Sequence, residues 1–74
     1  MKIVSITRAY IRTYGDNDQT TAYVEWRDEH GRTCRTEGDA EACPVLGWRP
    51  AGEHMQALFA RAEREGVSVE REVW

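Results

Sequence analysis

The stretch from Arg49 to Trp74 constrains the fold more than any other part of the chain. Ala51, Met55, Leu58, Phe59 and Ala62 fall at i, i+4, i+7, i+8 and i+11, a single apolar stripe along a helix. Pro50 suits a first helical position and Glu53 an acidic first turn. Gly66 is expected to take the left-handed conformation that ends the helix, with Gln56, Arg61 and Arg64 facing water. Val67, Val69 and Val73 then alternate with Ser68, Glu70 and Glu72, which predicts a strand. A helix with one apolar stripe next to an alternating strand has to lie on a sheet to bury that stripe.

The rest of the chain supplies the sheet. Lys2 to Tyr14 is rich in Ile, Val, Thr and Tyr and reads as a first strand. Its alternation breaks in the middle, because Val4, Ile6 and Tyr10 share one parity while Ile3, Ala9 and Ile11 share the other. Either a bulge near Arg8 switches faces or both faces are partly covered. Gly15-Asp16-Asn17-Asp18 marks a turn, and Thr20 to Asp28 a second strand with Ala22, Val24 and Trp26 on one face. Asp28-Glu29-His30-Gly31 reads as a tight hairpin leading into a short, polar third strand, Arg32 to Glu37. Gly38 to Arg49 reads as a long loop, with a helical turn allowed at 39–43 and Val45, Leu46 or Trp48 plugging one end of the core.

The expected order is β-β-β-α-β: one α+β domain over residues 1–74, two layers, with a four-stranded, mostly antiparallel sheet packed on one helix. A right-handed crossover sets the last strand parallel to the first and beside it, in the order 4-1-2-3.

With 74 residues there is one core, and roughly 60% of the unfolded surface is buried on folding. No apolar run approaches a membrane span and the first residues are not a signal peptide, so a soluble, cytoplasmic protein is expected. Thirteen carboxylates against ten bases argue against general nucleic-acid binding. Nine of the ten bases are Arg, the side chain suited to planar ion pairs and aromatic stacking; a GC-rich genome accounts for the same bias.

The candidate chemistries are sparse. His30, Cys34, Cys43 and His54 have the spacing H-x3-C-x8-C-x10-H, without the paired knuckle of a closed zinc site; a core thiol with surface histidines is the better account. Cys43 and His54 make a conceivable thiol and base, but no oxyanion motif, phosphate loop or orienting third residue accompanies them. The expectation is therefore no enzyme, no cofactor and no metal.

Two surfaces remain. Arg8, Tyr10, Arg12 and Tyr14 share a parity on the first strand and fall near Tyr23 and Arg27 on the second. Arg and aromatic side chains interleaved on a sheet form single-stranded nucleic-acid platforms; cross-strand pairing with Glu25 and Glu37 would instead leave a solvated face needing no ligand. The second surface is acidic. Glu37, Asp39 and Glu41 can occupy a basic groove on a partner, or form a solvated run; Asp28 and Glu29 lie in a turn, where acidic residues are ordinary. Trp74 is either an exposed contact aromatic or a cap on the core.

The size, mild acidity and element order, with the segment His54 to Ala62, Gly66-Val67 and Glu72-Val73-Trp74, resemble small phage-encoded accessory proteins, anti-CRISPR proteins in particular. That resemblance implies a stoichiometric inhibitor docking on a host protein or ribonucleoprotein complex and blocking its nucleic-acid binding. Asp28, Glu29, Glu37, Asp39, Glu41 and Trp74 are then the expected contact residues. The alternative is a nucleic-acid module using Arg8, Tyr10, Arg12, Tyr23 and Arg27. Either a monomer or a homodimer fits.

Overall fold

A computed structural model describes residues 2–15, 19–45 and 47–74. Most of the first turn, 16–18, and Leu46 lie outside the described residues; of the other two expected plugs, Val45 is exposed and Trp48 packs on the core. Five strands and one helix follow in order: β1 (Ile3–Tyr14), β2 (Gln19–Asp28), β3 (Thr33–Cys43), β4 (Gly47–Pro50), α1 (Glu53–Arg64) and β5 (Val69–Val73). The sheet order is β4-β3-β2-β1-β5, curled into a half-barrel around the helix. The expected α+β architecture and the parallel β1–β5 pair are both present. The four-strand count is not.

The difference lies in Gly38 to Arg49. There is no long loop and no helical turn at 39–43: β3 runs on to Cys43, and Gly47–Pro50 folds back along it as β4. Turn residues Pro44 and Val45 and the positive-φ Gly47 reverse the chain over a few residues. Pro50 is thus a strand residue, not the first residue of the helix. Asp39 O accepts a bond from Ala51 N at 2.9 Å, so the amide position of Pro50 points away from β3, where a missing donor costs nothing.

The helix stripe is as expected from Met55 onward. Met55, Leu58, Phe59 and Ala62 are buried against Ile6, Ala9, Ile11, Ala22, Val24 and Trp26, and Trp48 packs on this cluster from β4. Helix and sheet approach closely at Gly38: a Cβ there would meet Met55 Cγ at 2.5 Å. At the helix end, Gly66 has φ +80°, Gly66 N donates to Glu63 O and Val67 N to Ala62 O, the paired bonds of a Schellman cap.

The broken alternation of β1 is a bulge. The β1–β2 register shifts between Ile3 and Ser5 and again between Ile6 and Arg8, so Ile6 and Ala9 both face the helix. A bulge leaves backbone groups without ladder partners, and the helix terminus satisfies them. Glu65 Oε1 accepts from Ile6 N at 2.8 Å, while Arg61 donates to Ile3 O and Val4 O at 2.9 and 3.1 Å. Arg61 and Glu65 are themselves paired at 2.7 Å. Arg61 therefore does not simply face water, as its stripe position suggested.

Candidate binding surface

Among the described residues no element lies over the face of the sheet turned away from the helix, yet it holds two buried tyrosines. Tyr10 and Tyr23 are direct cross-strand partners, stacked with centroids 4.9 Å apart and planes 17° from parallel. Only 1% and 5% of their surface is exposed. Arginines cover them. The Arg8 guanidinium lies 4.1 Å from the Tyr10 centroid and Arg35 lies 5.0 Å from Tyr23. Arg12 is within 5.3 Å of both rings and sits 3.9 Å over Trp74.

Carboxylates from both sides fix this layer. Arg8 reaches Glu70 at 2.9 Å, Glu72 at 2.6 Å and Glu25 at 3.5 Å; Arg12 reaches Glu72 at 2.9 Å. The hydrogen bond to Glu70 holds the Arg8 pKa above its ordinary value. Arg12 is raised first by its bond to Tyr14 Oη and then by Glu72, against a burial effect of opposite sign. The same bonds lower Glu70 and Glu72 in turn. A 2.8 Å bond joins Tyr14 Oη and Tyr23 Oη; it lowers Tyr14, helped by Arg12, and raises Tyr23, helped by burial.

The predicted cross-strand pairing with glutamate is thus partly present. Glu25 does pair with Arg8, but Glu37 has no ion pair among the described residues, and the main clamps are Glu70 and Glu72. These two escaped notice because they belong to the last strand. Their parity opposite Val69 and Val73, with β5 placed parallel beside β1, was enough to put them next to Tyr10 and Arg12.

Of the expected nucleic-acid platform, Arg8, Tyr10, Arg12 and Tyr23 come together. Arg27 does not; it is exposed and sits opposite Ser5 and Thr33, beyond the stack. The acidic set divides further. Asp28 is buried rather than presented at the surface: it is 3% exposed, and its carboxylate accepts bonds from His30 N, Arg32 N and Arg32 Nε, all at 2.9 Å. Burial acts to raise its pKa, but the bonds from Arg32 and His30 outweigh it and hold the group below the usual carboxylate range. Glu29 is exposed at the hairpin tip, at the opposite end of the sheet from Trp74. Glu41 pairs with Arg49 at 2.8 Å. Glu37 and Asp39 lie on the outer face opposite Tyr23 and Thr21, exposed and without an ion-pair partner among the described residues. Trp74 is 64% exposed, edge-on to Tyr14 at 6.2 Å, and its backbone is bonded to Thr13 and Gly15.

Among the described residues no three His, Cys, Asp or Glu side chains gather as metal ligands, and no helix is long and apolar enough to cross a membrane. Compared with known protein families, with curated proteins and with solved structures, the chain matches none.

Proposed function

We infer that the protein is a non-catalytic binding protein that engages a macromolecular partner through the outer face of its sheet. One observation carries this reading. Glu25, Glu70 and Glu72 are each paired with arginine, whereas Glu37 and Asp39 stand on the same face, exposed and without an ion pair among the described residues, with Arg35 acting on Glu37 only at longer range. Two exposed carboxylates on this surface suit a basic patch on a partner. Trp74 borders the same face about 14 Å away across three strand spacings, within the footprint of an ordinary protein interface. Its anchoring by Arg12 and Tyr14 lowers the ordering cost of using it as a contact.

In this reading the protein is an inhibitor of phage or mobile-element origin. It docks on a host protein or nucleoprotein, such as a CRISPR effector complex, and blocks access to nucleic acid. The alternative platform is disfavoured by its own geometry: buried Tyr10 and Tyr23 offer no ring to a base, and Arg8 and Arg12 already share carboxylates.

The test is a tagged pull-down from bacterial lysate with nuclease present, comparing wild type with the Glu37→Lys, Asp39→Lys double variant. A stoichiometric nucleic-acid-processing partner retained by the wild type and lost by the variant is the expected result. Equal capture by both proteins, or capture that nuclease abolishes, sinks it.

A further inference from the structure

The helix side of the half-barrel has an open border where β4 and β5, the two ends of the sheet, approach each other. Two grooves of about 320 Å³ each run along it and share Ile11, Trp48 and Arg71. Phe59 and Val69 extend the apolar lining at one end, and Val73, 83% exposed, at the other.

The outer edge of β5, beside these grooves, pairs with no other strand among the described residues. Trp74 N donates to Thr13 O at 2.8 Å and Gly15 N donates to Trp74 O at 2.7 Å, so the even-numbered residues of β5 direct their backbone groups at β1. By alternation Val69, Arg71 and Val73 direct theirs outward. The side chains of these three residues line the grooves. Among the described residues Arg71 has no ion pair, and its side chain makes a long 3.4 Å contact to Trp48 O. In contrast to Arg8 and Arg12, this cation is held by no carboxylate within ion-pair distance among the described residues, although Glu63 and Glu72 line the same grooves, and it lies between two apolar ends.

We propose that β5 accepts an extended peptide segment as a sixth strand, apolar–x–acidic–x–apolar in pattern. The segment's backbone pairs with Val69, Arg71 and Val73. Its two apolar side chains enter the grooves beside Phe59 and Val73, and the carboxylate between them takes a bidentate bond from Arg71. An open strand edge supplies affinity without sequence preference, so the pattern of the segment comes from the groove floor and from Arg71. The surface is separate from the outer acidic face and does not depend on it.

The probe is a capped synthetic peptide containing Val-Thr-Asp-Thr-Val, which presents the same pattern in either strand direction, with Val-Thr-Lys-Thr-Val as control. Titration is followed by the backbone amide resonances of the purified protein. The expected result is shifts confined to β5, Trp48 and the groove, with the Asp peptide binding at least tenfold more tightly than the Lys peptide. Arg71→Glu is expected to invert that preference. Val73→Pro removes an outward N–H while leaving the β1 ladder intact, and is expected to abolish binding of both peptides with the amide spectrum otherwise preserved. The proposal is overturned by no binding of the Asp peptide, by equal binding of both, or by shifts that map elsewhere. Because no lysate partner is involved, either result stands apart from that of the pull-down.

Discussion

The two faces of the sheet bury aromatic side chains equally well by opposite means. On the inner face Phe59, Leu58 and Met55 meet Val24 and Ile11 under a helix, and burial follows from one element covering another. On the outer face no described element covers the sheet. Tyr10 and Tyr23 are nonetheless buried, because three guanidiniums lie on their rings and glutamates from β2 and β5 hold two of those guanidiniums in place. The lesson is that charged residues act here as a layer. Their aliphatic stems and planar heads exclude water from the tyrosines, and their carboxylate partners lower the freedom they would otherwise lose. A domain of this size, short of core volume, gains a second buried cluster without a second helix.

The sharpest way to break this comparison is to remove one ring from each face. Phe59→Ala is expected to cost about 3–5 kcal/mol in urea unfolding, the usual range for a large aromatic lost from a core. If the outer face is a core in the same sense, Tyr10→Ala falls in that range too. A cost below about 1 kcal/mol for Tyr10→Ala would show a solvated surface instead. Next in size is the helix–sheet contact. Gly38→Val forces a side chain onto Met55 and is expected to cost about 1–3 kcal/mol. Adding Met55→Ala should make the pair less damaging than the sum of the single changes, because each relieves the other; strict additivity would mean that the close approach is not tight.

How far each face was legible in the chain follows from the same contrast. The inner face was readable because periodicity reports burial by a covering element: Met55 to Ala62, and Ala22, Val24 and Trp26, announced themselves. The bulge of β1 was readable from the parity switch between Ile6 and Ala9. The outer face was readable only as a row of Arg and Tyr. Which cations are neutralised depends on Glu70 and Glu72, some 60 residues away in sequence, and only the placement of β5 brings them together. Asp28 was misplaced for a local reason. A hairpin Asp that accepts two turn amides looks, in sequence, like any exposed acidic turn residue. Strand β4 was hidden because four residues containing Gly47 and Pro50 carry no alternation worth reading, and their pairing is set by the extension of β3.

A smaller effect tests the cation layer alone. Arg12→Lys keeps the charge but loses the planar head that lies over Trp74 and bonds both Glu72 and Tyr14. A loss of about 1 kcal/mol is expected, with Trp74 emission shifted toward that of a solvated indole. Unchanged stability and emission would mean that charge without stacking is sufficient.

The smallest effects, and the ones that most cleanly separate the faces, come from solution conditions. Glu70 and Glu72 are held below the usual carboxylate pKa by Arg8 and Arg12, Glu65 by the Ile6 amide and Arg61, and Asp28 by Arg32 and His30. A group whose folded pKa is depressed contributes stability that is present above its unfolded pKa, near 4 for these side chains, and is lost as pH falls through the folded value. Stability should therefore be flat from neutral pH down to about 5 and decline below that, with Glu70→Gln and Glu72→Gln flattening the decline. Salt adds the discriminating arm. The pairs around Arg8 are partly exposed and screened, so the cost of Glu72→Gln should shrink as ionic strength rises, while the cost of Phe59→Ala should not. An equal salt response at both positions would mean that the carboxylates stabilise the outer face by packing rather than by charge, and that the difference between the two faces is one of degree.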